Sequence, residues 1–225
     1  MSRCIMTTDR RDPPAARSTT SYALLGLLSV RTWTTYELAK QVQRSLKWFW
    51  PRAERKLYDE PKRLVTDGLA TAAREHTGQR PRTVYEITAD GREALRRWLD
   101  EPSAPRTGEF EAMIKVFFAD AGSLGQLDST LLRIEQEAAG RLDELATMAG
   151  EGVEGATGFP GRLHLSAMGL RLQVEQELVV LRWARWARDQ LPTWSAADEP
   201  GKWDHRAALA DVITLARSGL PTEAS

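Results

Sequence analysis

The stretch Trp50–Leu69, WPRAERKLYDEPKRLVTDGL, decides how the rest of this 225-residue chain is read. Taken as a helix that starts near Arg52, it places Ala53, Leu57, Pro61 and Leu64 on one side. Arg52, Arg55, Lys56, Asp59, Lys62 and Arg63 then fall on the other. One face is core and the other is mostly cationic. On its own such a helix is an ordinary solvated surface element, so its neighbours must say what it does.

Upstream, Thr34-Thr35-Tyr36-Glu37 has the form of a capping box, in which Thr34 serves the Glu37 backbone N–H while the Glu37 carboxylate reaches back. It opens a helix whose buried face is marked by Leu38, Val42 and either Ser45 or Leu46. Before it, Ser18, Thr19 or Thr20 can cap a helix carrying Leu24, Leu27 and Leu28, with Gly26 inside it explained by a close helix crossing. Lys47–Trp50 then forms a short connector, and Pro51 suits a first helical turn, where its missing N–H has no partner to lose. The order helix, helix, tight turn, basic helix is that of a helix-turn-helix.

Downstream, Gly68 stops the basic helix and the pattern changes period. Leu69–Glu75 and Arg82–Thr88 read as two strands joined by a turn at Thr77-Gly78-Gln79, with Arg80 and Arg82 at the tip. A helix over Ala89–Leu99 follows, with Leu95, Trp98 and Leu99 facing inward and Thr88 or Asp90 near its start. A hairpin beside the second helix of a helix-turn-helix makes a winged helix.

The segments SYALLGLLS (21–29), YELAKQV (36–42), RKLYDEPKRLVTDGL (55–69) and VYEITADGREALRRWL (84–99) together resemble the PadR family of transcriptional regulators over the first half of the chain. The resemblance is carried by Leu57-Tyr58, Lys62-Arg63-Leu64, Asp67-Gly68-Leu69 and then by Tyr85, Thr88 and Gly91. Two positions depart from the family pattern. Thr35 stands where glycine is usual, and Pro61 where an apolar helix former is expected. A proline inside a helix removes a hydrogen bond and costs ~3 kcal/mol, which predicts a kink near Asp59-Glu60.

Charge supports the same division. Residues 1–100 hold 19 Lys+Arg against 12 Asp+Glu, and residues 101–225 hold 12 against 19, so a net charge of zero conceals two oppositely charged halves. The basic half suits a polyanion. The single cysteine, Cys4, excludes an intrachain disulfide and makes a reducing cytoplasm the expected location. No apolar run approaches the roughly 18 residues that span a bilayer, so no membrane association is expected. His76, His164 and His205 lack metal-ligand spacing, no Ser or Cys sits in a nucleophile motif, and the glycines of 150–161 lack a nucleotide-loop context. Neither catalysis nor a cofactor is expected.

In the second half, Pro102 and Pro105 break the chain. Phe110, Met113, Ile114, Phe117 and Phe118 form a stripe expected to be core. Leu124, Leu127, Leu131, Ile134, Ala138, Leu145 and Met148 form nearly a coiled-coil seam with one break at Arg141. Gly150–Gly161, with five glycines and a proline, reads as a loop. A long helix over Arg162–Gln190 then has two apolar stripes, one through Leu165, Met168, Leu172, Val179, Trp183 and Trp186, the other through Leu170, Val174, Leu178 and Leu181. A helix apolar on two sides must be buried on two sides, and the second stripe is assigned to a partner subunit. An extra helix over Trp203–Arg217, closed by Gly219, completes the chain.

The resulting expectation is a mainly α protein with a small β-hairpin. Residues 1–19 are a disordered leader, 20–101 an N-terminal winged helix-turn-helix, 108–192 a C-terminal all-α dimerisation domain and 193–225 a tail with an extra helix. The resemblance implies a dimeric repressor that binds a near-palindromic operator in double-stranded DNA and is released by a small aromatic or lipophilic effector. Arg52, Arg55 and Lys56 are the candidates for base edges, and Tyr58, Lys62, Arg63, Arg80 and Arg82 for phosphates. Trp183, Trp186 and Trp194 are the candidates for an effector. The alternative is a winged-helix dimer that has lost DNA binding and serves as a protein interaction module.

Overall fold

The structure is a computed structural model that describes residues 17–46, 54–77, 80–106, 108–156 and 159–219. The connector 47–50, Pro51, Arg52 and the turn residues Gly78 and Gln79 lie outside the described residues, as does the leader up to residue 16. The chain divides into two compact units, Met1–Pro105 and Arg106–Ser225.

In the first unit, α1 (Thr19–Leu28) is capped by Ser18, whose Oγ accepts the Ser21 N–H. α2 (Thr35–Ser45) opens with the capping box expected of Thr34 and Glu37. The Glu37 carboxylate accepts the Thr34 N–H at 2.8 Å, and Thr34 Oγ1 accepts the Glu37 N–H at 3.2 Å. α3 (Glu54–Thr66) runs unbroken through Pro61. Its end is a Schellman turn on Gly68, φ 73°, with the Leu69 N–H on the Leu64 carbonyl and the Gly68 N–H on the Val65 carbonyl.

A short β1 (Trp33–Thr34), too brief to leave a periodic signal, precedes β2 (Ala70–Thr77) and β3 (Arg80–Ile87) in an antiparallel sheet of order β1-β3-β2. Trp33 faces Tyr85, and Ala73 faces Val84. α4 (Ala89–Asp100) is capped by Thr88. The core is Leu24, Leu25, Leu28, Leu38, Val42, Leu57, Pro61 and Leu64, all essentially inaccessible. Tyr22 of α1 stacks on Trp98 of α4 with centroids 4.8 Å apart.

Two expectations fail in this unit. A Cβ on Gly26 would meet nothing within 4 Å, so no close crossing requires that glycine. Leu99 is exposed, because it lies past the turn of α4 whose Ala94 enters the core.

The second unit is built on α6 (Leu124–Val153) and α7 (Leu163–Gln190). Their ion pairs, Asp128–Arg188, Glu135–Arg185 and Arg141–Glu177, run in opposite chain order, so the two helices are antiparallel. Leu127, Leu131, Ile134, Ala138 and Leu145 of the expected seam are buried. Arg141, the break in that seam, bonds Glu137 and reaches Glu177 at 3.2 Å, beside the buried Gln173. α6 continues past Gly150 and Gly152 and ends where Gly155 adopts φ 76°, so the glycine-rich loop starts later than expected.

α5 (Glu111–Phe117) corrects the reading of its stripe. Ala112 and Val116 pack against the α6–α7 core, whereas Phe110, Ile114, Phe117 and Phe118 are exposed. The small residues allow close approach to α6, which turns the aromatic face away from it. α8 (His205–Ser218) is capped by Asp204, and none of its residues is buried. Before it, Trp203 Nε1 donates to Gln190 Oε1 at 3.1 Å, and the rings of Trp194 and Trp203 lie 5.6 Å apart.

Candidate nucleic-acid interface

Helix α3 owes its orientation to the apolar side of its own sequence. Leu57, Pro61 and Leu64 are locked into the core, so Tyr58, Asp59, Lys62 and Arg63 between them point outward, whereas Glu60 is turned in. Tyr58 is 40% exposed, and the side chains of Lys62 and Arg63 are 73% and 76% exposed. Lys62 is 3.9 Å from Asp59 and Arg63 is 3.7 Å from Glu60. The Lys62 pair is open to water on both sides and is worth about 0–1 kcal/mol, so Lys62 can exchange its carboxylate for a phosphate at little cost. The Arg63 pair is open only on the arginine side, the Glu60 side chain being 10% exposed. Arg55 and Lys56 lie on the first turn of α3, with side chains outside the described residues, and Arg52 lies outside them altogether.

On the hairpin, Arg82 donates to Glu75 across the β2–β3 pair at 2.8 Å. Arg80 opens β3, and its side chain lies outside the described residues. The hairpin is joined to α3 and α4 through one carbonyl cluster. Thr88 Oγ1 donates to the Gly68 carbonyl at 2.8 Å and accepts the Gly91 N–H at 3.0 Å, while the Thr88 N–H donates to the Leu69 carbonyl at 3.1 Å. A Cβ on Gly91 would lie 2.1 Å from the Leu69 carbonyl oxygen, a clash that only glycine avoids. The motif residues Gly68-Leu69, Thr88 and Gly91 therefore form one joint that sets the hairpin against the end of α3.

Sequence reasoning missed the cations and the aromatic beside α2. Tyr36 and Lys40 on α2 and Arg74 on β2 are exposed. The Arg31 guanidinium sits 3.5 Å from the Trp33 ring centroid. The Glu37 carboxyl lies below its ordinary range chiefly because the Thr34 backbone N–H bonds it, with added help from the positive charges of Arg31 and Arg82. An Arg-x-Trp just before a capping box was the available signal for Arg31. It has no periodicity to draw attention to it.

In the second unit, Trp183 and Trp194 pack against the α6–α7 core, and Trp186 is half exposed. The Trp194 Nε1 is buried without a hydrogen-bond partner among the described residues. An open groove of about 720 Å³ runs between the start of α6 and the end of α7, lined by Asp128, Glu135, Arg185, Arg188 and neighbours that include none of the three tryptophans. Hydrogen bonds from Arg185 and Arg188 hold the Glu135 carboxyl low, and Asp128 and Glu135 raise Arg188 in turn. Asp128, Glu135, Arg185 and Arg188 are thus satisfied by each other. Of the stripe assigned to a partner, Leu181 is in the core of its own chain, Leu170 and Val174 are half-buried and Leu178 is exposed. Leu165, Met168, Leu172 and Val179, from the other stripe, are the open apolar face of α7.

Known proteins share these features. Residues 24–97 match the model of the transcriptional regulator PadR-like family. The chain is 29% identical to the negative transcriptional regulator PadR of Bacillus subtilis over 99 residues, 43% of this chain and 54% of that protein. It is 32% identical to a probable transcriptional regulator of Mycobacterium tuberculosis over 95 residues, 41% of this chain and 50% of that one. The match thus spans about half the length of these curated relatives. In fold, 77% of the chain superposes on 99% of Bacillus subtilis PadR in complex with operator DNA, with a TM-score of 0.67 and 21% identity. The same protein in complex with p-coumaric acid covers 79% of this chain, by 99% of its own, with a TM-score of 0.60 and 20% identity. Residues 24–97, which hold the helix-turn-helix and the hairpin beside it, are thus similar to the transcriptional regulator PadR-like family.

Proposed function

We propose that the protein is a homodimeric DNA-binding transcriptional regulator, a repressor of PadR type that reads a near-palindromic operator and is released by a small effector. One observation carries the reading of DNA as the ligand. α3 buries its apolar side in the core of a helix-turn-helix and turns Tyr58, Lys62 and Arg63 to solvent. In this reading Arg52, which precedes α3 in the sequence, and Arg55 and Lys56, on its first turn, meet base edges in the major groove. Tyr58, Lys62, Arg63 and the hairpin residues Arg80 and Arg82 hold phosphates and fix the register.

Dimerisation is supported by the uncovered apolar face of α7, where Leu165, Met168, Leu172 and Val179 follow helical spacing. With Leu181 in its own core, Leu178 and this face carry the contact, and Leu170 and Val174 flank it. Two copies of α3 related by a twofold axis then read half-sites one helical turn, or a multiple of it, apart. The effector is a small aromatic or lipophilic compound, a class to which p-coumaric acid, found in complex with Bacillus subtilis PadR, belongs. The tryptophan best disposed to meet it is the half-exposed Trp186, since Trp183 and Trp194 already serve the core.

A mobility shift on the DNA upstream of the protein's own gene tests this function. Arg55→Ala should weaken specific binding by about 1–3 kcal/mol and relax sequence preference. Arg80→Ala should weaken operator and random DNA alike and make the salt dependence shallower. Equal effects of the two substitutions on both DNAs would remove the division between reading and positioning, and no shift at any salt concentration would leave the interaction-module alternative.

A further inference from the structure

Glu60 is a carboxylate in the wrong place for a surface helix. It sits on α3, yet only 8% of it is exposed. Its Oε1 accepts a hydrogen bond from Ser21 Oγ and a longer one, 3.4 Å, from Ser18 Oγ. Ser18 is the N-cap of α1, and the first turn of α1 has no acidic residue of its own. Glu60 therefore supplies from another helix the negative charge that the N-terminal end of α1 favours. Its Oε2 faces Arg63 at 3.7 Å. One turn or two beyond, Arg17, next to the cap, reaches Asp67 at 3.6 Å just past the end of α3.

The next residue is Pro61, in the interior of α3 and fully buried. It has no N–H, so the Leu57 carbonyl one turn back loses its helical donor. The helix is thus weakest along its axis at the residue beside the one that is tied sideways to α1. We propose that Glu60 is a positioning residue for the recognition helix. It anchors α3 laterally to the start of α1 through Ser21 and Ser18, in place of the axial hydrogen bond that Pro61 removes. This rests on the reading of α3 as the helix that meets DNA. The turns before Pro61 carry the base-reading candidates and the turns after it carry Lys62 and Arg63. An anchor at residue 60 holds the two parts in one geometry.

The test compares full-length wild type, Glu60→Ala, Ser21→Ala, Pro61→Ala and the double variant Glu60→Ala/Pro61→Ala. Two readouts are taken: amide hydrogen exchange, and affinity for the operator fragment and for random DNA. Glu60→Ala should speed exchange of the Lys62–Thr66 amides on the order of 10-fold, without a matching change in α2. It should lower operator affinity by a similar factor and random-DNA affinity by less than about twofold. Pro61→Ala restores the N–H at position 61, so in that background both losses should shrink. If Glu60→Ala does not fold, Ser21→Ala and Glu60→Gln carry the same comparison. Wild-type exchange in α3 of the Glu60 variants, or a loss of equal size with and without Pro61, would overturn the proposal. A wild type that binds no DNA would instead end the recognition reading, while the exchange data would still decide the anchor.

Discussion

Gly26 and Gly91 are both helical glycines, and a methyl group added to each meets opposite surroundings. At Gly26 it would enter open space. Gly26→Ala should therefore raise stability by about 0.5–1 kcal/mol, the ordinary difference in helix propensity, measured as a higher denaturation midpoint at unchanged slope. At Gly91 the same methyl would drive into the Leu69 carbonyl and the Ile87 side chain. Gly91→Ala should cost about 1–3 kcal/mol and displace the hairpin from the end of α3, so operator affinity should fall beyond what lost stability explains. Both glycines are visible in the sequence. Only one carries a structural duty, and the difference lies in a backbone carbonyl 22 residues away from it in the chain.

At the scale of the element, the capping box of α2 allows a sharp expectation. Thr34→Ala should cost about 1 kcal/mol, since it strands the Glu37 N–H and removes the hydroxyl hydrogen bond to the Glu37 carboxylate, leaving only the one from the backbone N–H of residue 34. Because the Glu37 pKa is lowered in the folded protein, its contribution is complete above the ordinary carboxylate value of 4.5 and is lost as pH falls through the lower folded value. A pH titration of stability should therefore show a smaller acid-side loss in Thr34→Ala than in wild type. An unchanged acid limb would mean that the Thr34 hydroxyl adds nothing to what the backbone N–H already does for the carboxylate. This element was legible because its signal is local: Thr and Glu three apart, then a helical run. The helices α3, α4, α6 and α7 were legible for the same reason, as was the β2–β3 hairpin. β1 was not, since two residues carry no period and their strand character comes from Tyr85 and Val84 across the sheet. The stripe of α5 was read as buried because periodicity reports that a face is apolar, and says nothing of what covers it. Periodicity likewise divided α7 into two stripes without showing that Leu181 belongs with Ala184 in the core. The tie from Glu60 to Ser21 spans 39 residues and no pattern announces it.

For the whole molecule, the open face of α7 sets the decisive measurement. Leu172→Glu with Val179→Glu leaves the buried Leu181 and Ala184 untouched, so each chain should keep its helical content. The pair should convert a dimer to a monomer in sedimentation equilibrium, because charge on an apolar interface cannot be buried unpaired. Operator affinity should fall by several orders of magnitude when the two half-sites are no longer bound by one particle, while affinity for a single half-site should change little. A variant that remains dimeric would assign subunit contact to some other surface.

The polar layer within the α6–α7 seam has a mechanical meaning. Arg141 bridges Glu137 on its own helix and Glu177 on the other, beside the buried Gln173. Slipping α7 by one helical turn, about 5.4 Å, would leave Glu177 among apolar neighbours with its cation out of reach. The layer therefore works as a register mark: it favours the one alignment of the two long helices in which Arg141, Glu177 and Gln173 share a level.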